Sequence, residues 1–193
     1  MKKILFISGS ARNGNCKDIL EEIQQQFWLQ YSTEVIFLRD YDLTHCHGCL
    51  QCRNTDNNSC IKEDKMNLVI DKIMDAEIIV LASPNYFYNV TGLTKNFIDK
   101  TVALYEKQAL RGKKFMFIYT GEDKAEETKK HLDSAVLGFV ECHNIENLGS
   151  FAFQTPGIHQ FADEGAKTST INEICSTLRK TIAEIDGVEI IIK

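Results

Sequence analysis

The stretch KKILFISGSARNGNC at residues 2–16 decides the fold of this chain. Its first part, up to Ile7, is a continuous apolar run that is typical of a buried parallel strand. Its second part brings small and hydroxyl residues to the start of an amphipathic stretch at 17–30. A strand that leads through such a loop into a helix forms an anion site, because the first-turn N–H groups lack partners and the helix dipole is positive there. The stretch therefore predicts a ligand that carries a phosphate group.

Side chains of this loop supply further hydrogen-bond donors. The hydroxyls of Ser8 and Ser10 can bind a phosphate, and the Arg12 guanidinium can bind it through two parallel N–H groups. The alternative is a strand-to-helix turn without a ligand, since Ser, Arg, Asn and Gly are common in such turns. The combination of residue types favours the phosphate site.

The glycine spacing differs from that of two better-known phosphate loops. In the Walker loop the second glycine is followed by Lys and then Ser or Thr, whereas Gly14 is followed by Asn15 and Cys16. The dinucleotide fingerprint needs three glycines, and only Gly9 and Gly14 are available. The loop is therefore typical neither of a nucleoside triphosphatase nor of a Rossmann dehydrogenase.

Apolar runs of strand length alternate with longer amphipathic stretches along the whole chain. Strands are predicted at 3–7, 34–38, 77–82, 114–119 and 147–153. Helices are predicted at 17–30, 64–74, 93–104, 125–139 and 170–185. This alternation predicts an α/β fold: a doubly wound five-stranded parallel sheet with helices on both faces, formed by residues 1–193 as a single domain. The C-terminal extension at 187–193 is predicted to form an extra edge strand or an arm onto a partner subunit.

The composition narrows the kinds of partner that this chain can have. Of the 193 residues 44% are hydrophobic and 25% are charged, which suits one well-packed core. The formal net charge of -5 leaves no basic surface for nucleic acid or an anionic membrane. The apolar run at 4–7 is too short for a signal sequence or a membrane span. We therefore expect a cytoplasmic protein whose seven cysteines are reduced.

A loop rich in rings and amides follows the third predicted strand. Pro84 fixes the backbone where the chain leaves that strand. A flat heteroaromatic ligand needs aromatic or apolar walls on its faces and polar groups at its edge. The loop offers both, in Asn85, Tyr86, Phe87, Tyr88, Asn89 and Thr91. The alternative is that the three rings cover the core beneath the loop.

Together these loops resemble those of the NADPH-dependent FMN reductase family of flavodoxin-like proteins. The first loop matches the family at Gly9, Ser10, Arg12, Gly14 and Asn15, and departs from it at Ala11 and Cys16. The second matches at Ser83, Pro84, Tyr86, Phe87, Asn89, Thr91 and Gly92, and departs at Asn85 and Tyr88. The third family loop is usually rich in glycine, and here Thr120 and Gly121 match it.

The resemblance implies FMN as the cofactor. It places the phosphate on Ser10, Arg12, Asn15 and Cys16 and the ring on residues 84–91, and the predicted cofactor-binding set also includes Ser8, Gly14, Thr120 and Gly121. It implies an oxidoreductase that passes a hydride from NAD(P)H to FMN and electrons onward to an acceptor, without a catalytic acid or base. It also implies a homodimer or a larger homo-oligomer. The alternative is a non-enzymatic FMN electron carrier of the flavodoxin type.

Four cysteines crowd into one predicted loop at 45–63. Cys46, Cys49 and Cys52 are each separated by two residues, and Cys60 follows after seven more. Thiolates at this pitch can converge on a metal centre. The spacing resembles the iron-sulfur flavoprotein branch of the same fold, in which such a motif holds a [4Fe-4S] cluster. Structural zinc and an empty thiol loop are the two alternatives. Of the remaining cysteines, Cys142 and Cys175 are predicted to face the core.

Overall fold

The computed structural model describes residues 3–54, 59–62 and 64–187. Its centre is a five-stranded sheet in which every neighbouring pair of strands is parallel. The strands are β1 Lys3–Ser8, β2 Ser32–Phe37, β3 Ile78–Pro84, β4 Lys114–Gly121 and β5 Glu146–Gln154. Their order across the sheet is β2-β1-β3-β4-β5. This is the predicted doubly wound α/β fold, and its strand order reverses at β1, where ligands of such sheets bind.

Six helices connect and cover the strands within the described residues. They are α1 Asn15–Gln25, α2 Met66–Asp75, α3 Gly92–Lys100, α4 Val102–Tyr105, α5 Ala125–His143 and α6 Glu164–Asp186. Short 3-10 turns lie at Leu38–Tyr41 and Gln51–Asn54. None of the helices in the described residues has the length and apolarity to cross a bilayer.

Successive residues of β1 supply the two layers of the core. Ile4 and Phe6 pack with buried residues of α1 and α6, whereas Leu5 and Ile7 pack with those of α2 to α5. Because side chains alternate across a strand, a continuous apolar run is what a sheet covered on both faces requires. The fold therefore explains why the opening stretch carries no polar residue between Ile4 and Ile7.

Several predicted helix boundaries differ from the structure, among them the end of α5, which lies at His143 rather than at 139. The helix predicted at 93–104 is divided at Thr101, whose hydroxyl donates to the Ile98 carbonyl at 2.6 Å. The last helix begins at Glu164 rather than at 170, because the Asp163 carboxylate caps it by accepting the Ala166 N–H at 2.9 Å. The first helix ends at Gln25 rather than at 30.

The two cysteines predicted to face the core have different environments. Cys175 of α6 is buried, as predicted, but Cys142 of α5 is exposed. The prediction for Cys142 is wrong because the next residue, His143, takes the buried position at the end of that helix. Of the C-terminal extension, only Gly187 lies within the described residues, and it ends α6 with a left-handed φ of 70°.

Candidate functional site

The loop after β1 is shaped by its own serine hydroxyls. Ser8 is fully buried, and its Oγ accepts the N–H of Ser10 at 3.4 Å. The Ser10 hydroxyl in turn donates to the Arg12 carbonyl at 3.0 Å and accepts the Arg12 N–H at 3.3 Å. These bonds fix the loop locally, so its own side chains and backbone hold the turn around Ser10.

Helix α1 directs its N-terminus at this loop. No described side chain caps it, and its first turn closes with the Asp18 N–H on the Gly14 carbonyl at 3.1 Å. The N–H groups of Asn15 and Cys16 precede that bond, so the helix offers them no carbonyl. Together with the helix dipole they form the predicted anion site, and the exposed Arg12 adds a positive charge beside it.

The loops after β1 and β3 are joined at the point where the strand order reverses. The Gly9 N–H donates to the Ala82 carbonyl at 2.8 Å, and the Thr91 hydroxyl donates to the Gly9 carbonyl at 2.6 Å. A Cβ atom on Gly9 would lie 1.9 Å from Thr94 Oγ1. Only glycine fits there, because any side chain would separate the two loops.

The aromatic loop after β3 is a tight two-residue hairpin turn. Tyr86 and Asn89 exchange backbone hydrogen bonds at 2.9 and 3.1 Å around Phe87 and Tyr88. Both central residues are left-handed, with φ of 52° and 57°. Such turns normally carry Asn and Gly, and bulky residues there cost about 1–2 kcal/mol each. The Phe87 ring is fully exposed, whereas the Tyr88 ring stacks on His131 with centroids 4.2 Å apart.

The loop after β4 brings a thiol and an unpaired amide oxygen to the same place. Cys16 Sγ lies 3.4 Å from Thr120 Oγ1, and burial raises the pKa of this thiol to about 11, so it is neutral at pH 7. The Asn85 N–H donates to the Thr120 carbonyl at 2.7 Å. Asn85 Oδ1 is buried without a hydrogen-bond partner among the described residues, which costs about 1–3 kcal/mol unless a ligand donates to it.

Gly121 permits close packing beside that amide. A Cβ atom on Gly121 would lie 2.9 Å from Thr128 Oγ1 and 3.0 Å from Asn85 Cβ. The absence of a side chain therefore lets Asn85 and Thr128 approach the end of β4.

A fourth loop, which the sequence analysis missed, completes the wall. Residues 155–158 follow β5, and the Thr155 N–H donates to the Gly121 carbonyl at 2.6 Å. The side-chain amide of Asn15 holds this loop: its Nδ2 donates to the Gly157 carbonyl at 2.8 Å, and its Oδ1 accepts the Gln160 N–H at 3.2 Å. The available signal was the Pro-Gly pair at 156–157, which marks a turn at the end of the last strand.

These loops enclose a cavity of about 340 Å³, which we name the strand-end cavity. Its lining consists of Ser10, Arg12, Gly14, Asn15, Cys16, Pro84, Asn85, Tyr86, Thr120, Gly121, Glu122, Thr155, Pro156, Gly157 and Ile158. The lining includes the uncapped N-terminus of α1 and, from the loop after β3, Asn85 and the half-exposed ring of Tyr86. The donor set suits a ligand with a phosphate at one end and a flat polar ring at the other, as FMN has.

Five of the predicted flavin-binding residues lie outside this lining, namely Ser8, Phe87, Tyr88, Asn89 and Thr91. Ser8 and Thr91 are buried beneath it, where their hydroxyls hold the loops together. The Asn89 side chain accepts the Val90 N–H at 2.8 Å and so stays within its own turn. Their direct contact with a ligand stays a prediction.

A buried ion pair between Asp64 and Lys100 joins the two ends of the cysteine loop. We name this junction of Thr44, Asp64 and Lys100 the neck of the loop. Thr44 donates through its N–H at 3.2 Å and its hydroxyl at 2.7 Å to Asp64 Oδ2. Lys100, the last residue of α3, forms a salt bridge with the same carboxylate, and the two side chains are only 1% and 2% exposed. Burial alone would raise the pKa of Asp64, but hydrogen bonds from Lys100 and Thr44 bring it below its usual value. Since Thr44 and Asp64 flank residues 45–63, these bonds fix where the loop begins and ends.

All four loop cysteines line one small apolar cavity of about 20 Å³, which we name the thiol cavity. Its lining consists of Cys46, His47, Cys49, Leu50, Cys52, Cys60, Ile61, Lys62, Lys100, Val102 and Ala103. Burial raises the pKa of Cys52, and the other three thiols add to the shift, since they lie close to it. All four are free of disulfides. In the described part of the chain, no three His, Cys, Asp or Glu side chains are placed to hold a single metal ion.

A sheet with strand order β2-β1-β3-β4-β5 and a phosphate loop after β1 defines a flavodoxin-like α/β protein. A profile of the family described as NADPH-dependent FMN reductase matches residues 2–155. The chain therefore belongs to the NADPH-dependent FMN reductase family.

Its relatives include iron-sulfur flavoproteins. An iron-sulfur flavoprotein from Archaeoglobus fulgidus is 36% identical over 120 residues, which cover 61% of this chain and 58% of the relative. The putative NAD(P)H-dependent FMN-containing oxidoreductase YwqN of Bacillus subtilis is 30% identical over 104 residues, 51% of each chain. The alignments thus span less than two thirds of these relatives. Among solved structures, a flavone reductase superimposes with a TM-score of 0.71 at 18% identity, covering 97% of this chain and 65% of that one, which shows the shared fold.

Proposed function

We propose that the strand-end cavity binds FMN and that the protein is an FMN-dependent NAD(P)H oxidoreductase. Bound FMN would supply a ring that accepts a hydride and passes electrons to a second acceptor. The observation that carries the proposal is that one cavity is lined by the uncapped N-terminus of α1 and by Asn85, whose amide oxygen has no partner among the described residues. Family membership supports the same cofactor and co-substrate.

The residues of the cavity have separable tasks in this proposal. The first-turn N–H groups of α1 and the Arg12 guanidinium bind the phosphate. Asn85 Oδ1 accepts a hydrogen bond from a ring N–H, and Pro84 and Tyr86 cover apolar area of the ring. Neutral Cys16 adds no negative charge beside the phosphate. No side chain is required to move a proton, so the chain contributes binding, orientation and exclusion of water.

We further propose that Cys46, Cys49, Cys52 and Cys60 hold a [4Fe-4S] cluster. The chemistry of the donor set fits, because all four thiols line one apolar cavity and Cys52 is buried in it. Structural zinc bound by the same thiols is the alternative, and an assay for iron, sulfide and zinc distinguishes the two. Homodimer formation, the single-domain organisation and a cytoplasmic location stay predictions.

One experiment tests the cofactor and the activity together. The protein is purified without oxygen and assayed for FMN, iron, sulfide and zinc, and its visible absorbance is followed after NADH or NADPH is mixed in. We expect rapid bleaching of the flavin band. Colourless protein that binds no added FMN would overturn the proposal. A bound flavin that dithionite reduces but NADH and NADPH do not would indicate an electron carrier instead of a reductase.

A matched pair of variants tests the phosphate site. Arg12→Gln should weaken FMN binding about 10- to 100-fold, the usual effect of losing a charged hydrogen-bond partner. Arg111→Gln removes an exposed guanidinium before β4, at the opposite edge of the sheet, and should leave FMN binding unchanged. Equal affinities in the two variants, measured by fluorescence titration, would place the phosphate elsewhere.

A further inference from the structure

Lys100 is the one residue that joins the neck of the cysteine loop to the floor of the thiol cavity, within the residues described. Its side chain lines the cavity beside Val102 and Ala103 of α4. Its ammonium group is paired with Asp64 and lies 3.4 Å from Thr44 Oγ1. The side chain is 1% exposed, so the charge is shielded from water rather than spread over a surface.

A buried ion pair is a costly way to close a loop. Removing a carboxylate and an ammonium from water costs several kcal/mol per ion, and well-packed apolar side chains often hold such a position as well or better. Closure of the neck therefore does not explain why charges are used. The ion pair also adjoins the thiol cavity, whose remaining walls are mainly apolar.

The pair is asymmetric with respect to that cavity. Lys100 is part of the lining and Asp64 is not. Asp64 instead bonds to the donors of Thr44 and accepts the Met66 N–H at 2.9 Å. Among the described residues, the other Lys, Arg, Asp or Glu in the lining is Lys62, which is partly exposed to solvent. Because the surface of the cavity is apolar, Lys100 contributes its aliphatic stem to the floor, and its ammonium group lies behind that floor, held there by Asp64.

We propose that Lys100 is a positioning residue that sets the charge behind the floor of the thiol cavity, with Asp64 as its counter-charge. The inference rests on the proposed cluster, because a centre bound by four thiolates is anionic and becomes more so when it is reduced. A buried ammonium group nearby stabilises the reduced form, so Lys100 raises the reduction potential of the centre. The carboxylate of Asp64 offsets part of that effect.

The test compares substitutions that loosen the neck alike but change the charge in opposite directions. Protein reconstituted without oxygen with iron and sulfide is assayed for both elements, and its cluster is titrated by absorbance and electron paramagnetic resonance. We expect Lys100→Met to lower the reduction potential, Asp64→Asn to raise it, and Lys100→Arg to restore it nearly to the wild-type value. Lys62→Met, which removes a partly exposed charge, should shift it much less because water screens that charge.

The outcomes separate this inference from the function on which it rests. Wild-type protein that takes up no iron and sulfide would overturn the cluster and this inference together, while leaving FMN binding intact. A wild-type cluster whose potential moves in the same direction in Lys100→Met and Asp64→Asn would overturn this inference alone, because a purely structural role loosens both. If Lys100→Met does not fold, Asp64→Asn is compared with Lys100→Arg instead. We expect the higher reduction potential in Asp64→Asn, and an equal or lower one would overturn the inference.

Discussion

The walls of the strand-end cavity and those of the thiol cavity depend on backbone and side-chain bonds to different degrees. At the strand-end cavity, backbone groups of neighbouring strand ends bond to one another, as in the Asn85 N–H to the Thr120 carbonyl at 2.7 Å, and side chains such as Asn15 add to them. At the thiol cavity, side chains bridge distant parts of the chain, as in the Thr44 hydroxyl to Asp64 at 2.7 Å. The first arrangement follows from the topology of the sheet. The second depends on a few particular side chains, so single substitutions should separate the two.

The largest effect should come from adding one methyl group beside the strand-end cavity. In Gly9→Ala the new Cβ would lie 1.9 Å from Thr94 Oγ1, inside the network that joins β1 to β3. We expect a loss of about 3 kcal/mol in the free energy of unfolding, typical of severe overpacking. The measurement is urea unfolding, with the release of bound FMN followed at the same time.

The control is a glycine of the cysteine loop. Gly48 has a left-handed φ of 63°, but a Cβ there meets no atom of the described residues within 4 Å. Gly48→Ala should therefore cost only about 1 kcal/mol of backbone strain. If both substitutions destabilise the protein equally, the distinction between a backbone-built and a side-chain-built site fails.

Two asparagines give the next largest contrast, because each uses its side-chain amide as a two-way bridge. Asn15 bonds to residues 157 and 160, whereas Asn67 of α2 donates to the Cys60 carbonyl at 2.9 Å and accepts the Cys60 N–H at 2.8 Å. Each bond contributes about 0.5–1.5 kcal/mol. Asn15→Ala should weaken FMN binding roughly tenfold and leave iron uptake unchanged. Asn67→Ala should reduce iron uptake and leave FMN binding unchanged. A variant that impairs both would show that the two cavities do not depend on separate side chains.

Mild acid should destabilise the region around the cysteine loop before it destabilises the region around the strand-end cavity. His143 is buried at the end of α5, and its Nε2 lies 3.0 Å from the hydroxyl of Thr101, next to Lys100. Burial lowers the pKa of His143. The neutral ring therefore stabilises the fold fully above the unfolded pKa of about 6.5, and this contribution falls as the pH drops through that value.

The measurement is urea unfolding at pH 7.5 and 5.5, with hydrogen exchange to locate the change. Wild-type protein should lose more stability than His143→Gln between these pH values, with faster exchange in α4 and at 51–54. Faster exchange at the ends of β1 and β3 first would contradict the expected order.

The smallest effect should be a gain in stability at the hairpin turn. Asn tolerates the left-handed conformation that Phe87 adopts, and the exposed Phe87 ring gives up no packing. Phe87→Asn should stabilise the protein by about 1 kcal/mol. Phe87→Ala removes the same ring but keeps the backbone cost, so its melting temperature should stay near that of the wild type. A similar gain in both variants would show that the exposed ring, and not the left-handed backbone, destabilises the wild-type turn.

The sequence predicts the sheet well, because hydrophobic periodicity alone determines where buried strands lie. All five strands and the loops after β1, β3 and β4 are at the predicted places. The start of α6 is missed because its cap, Asp163, precedes two exposed turns without apolar periodicity. The left-handed turn at Phe87 and Tyr88 is missed because neither residue type favours it.

The neck of the cysteine loop shows what local pattern cannot supply. Asp64 and Lys100 are 36 residues apart and look like ordinary surface charges in the sequence. Only the tertiary fold brings them together, with both side chains almost fully buried. The same limit applies to Asn15, which the sequence assigns to the phosphate but whose side chain holds the loop after β5.

The bridge from Asn15 to the loop after β5 also has a consequence for how the protein is made. Asn15 leaves the ribosome well before its two partners, Gly157 and Gln160, which are synthesised more than 140 residues later. The strand-end cavity therefore stays open on one side while the intervening residues are made. A nascent chain that stalls before Gly157 emerges lacks the fourth wall, so we expect it to retain the proposed cofactor poorly.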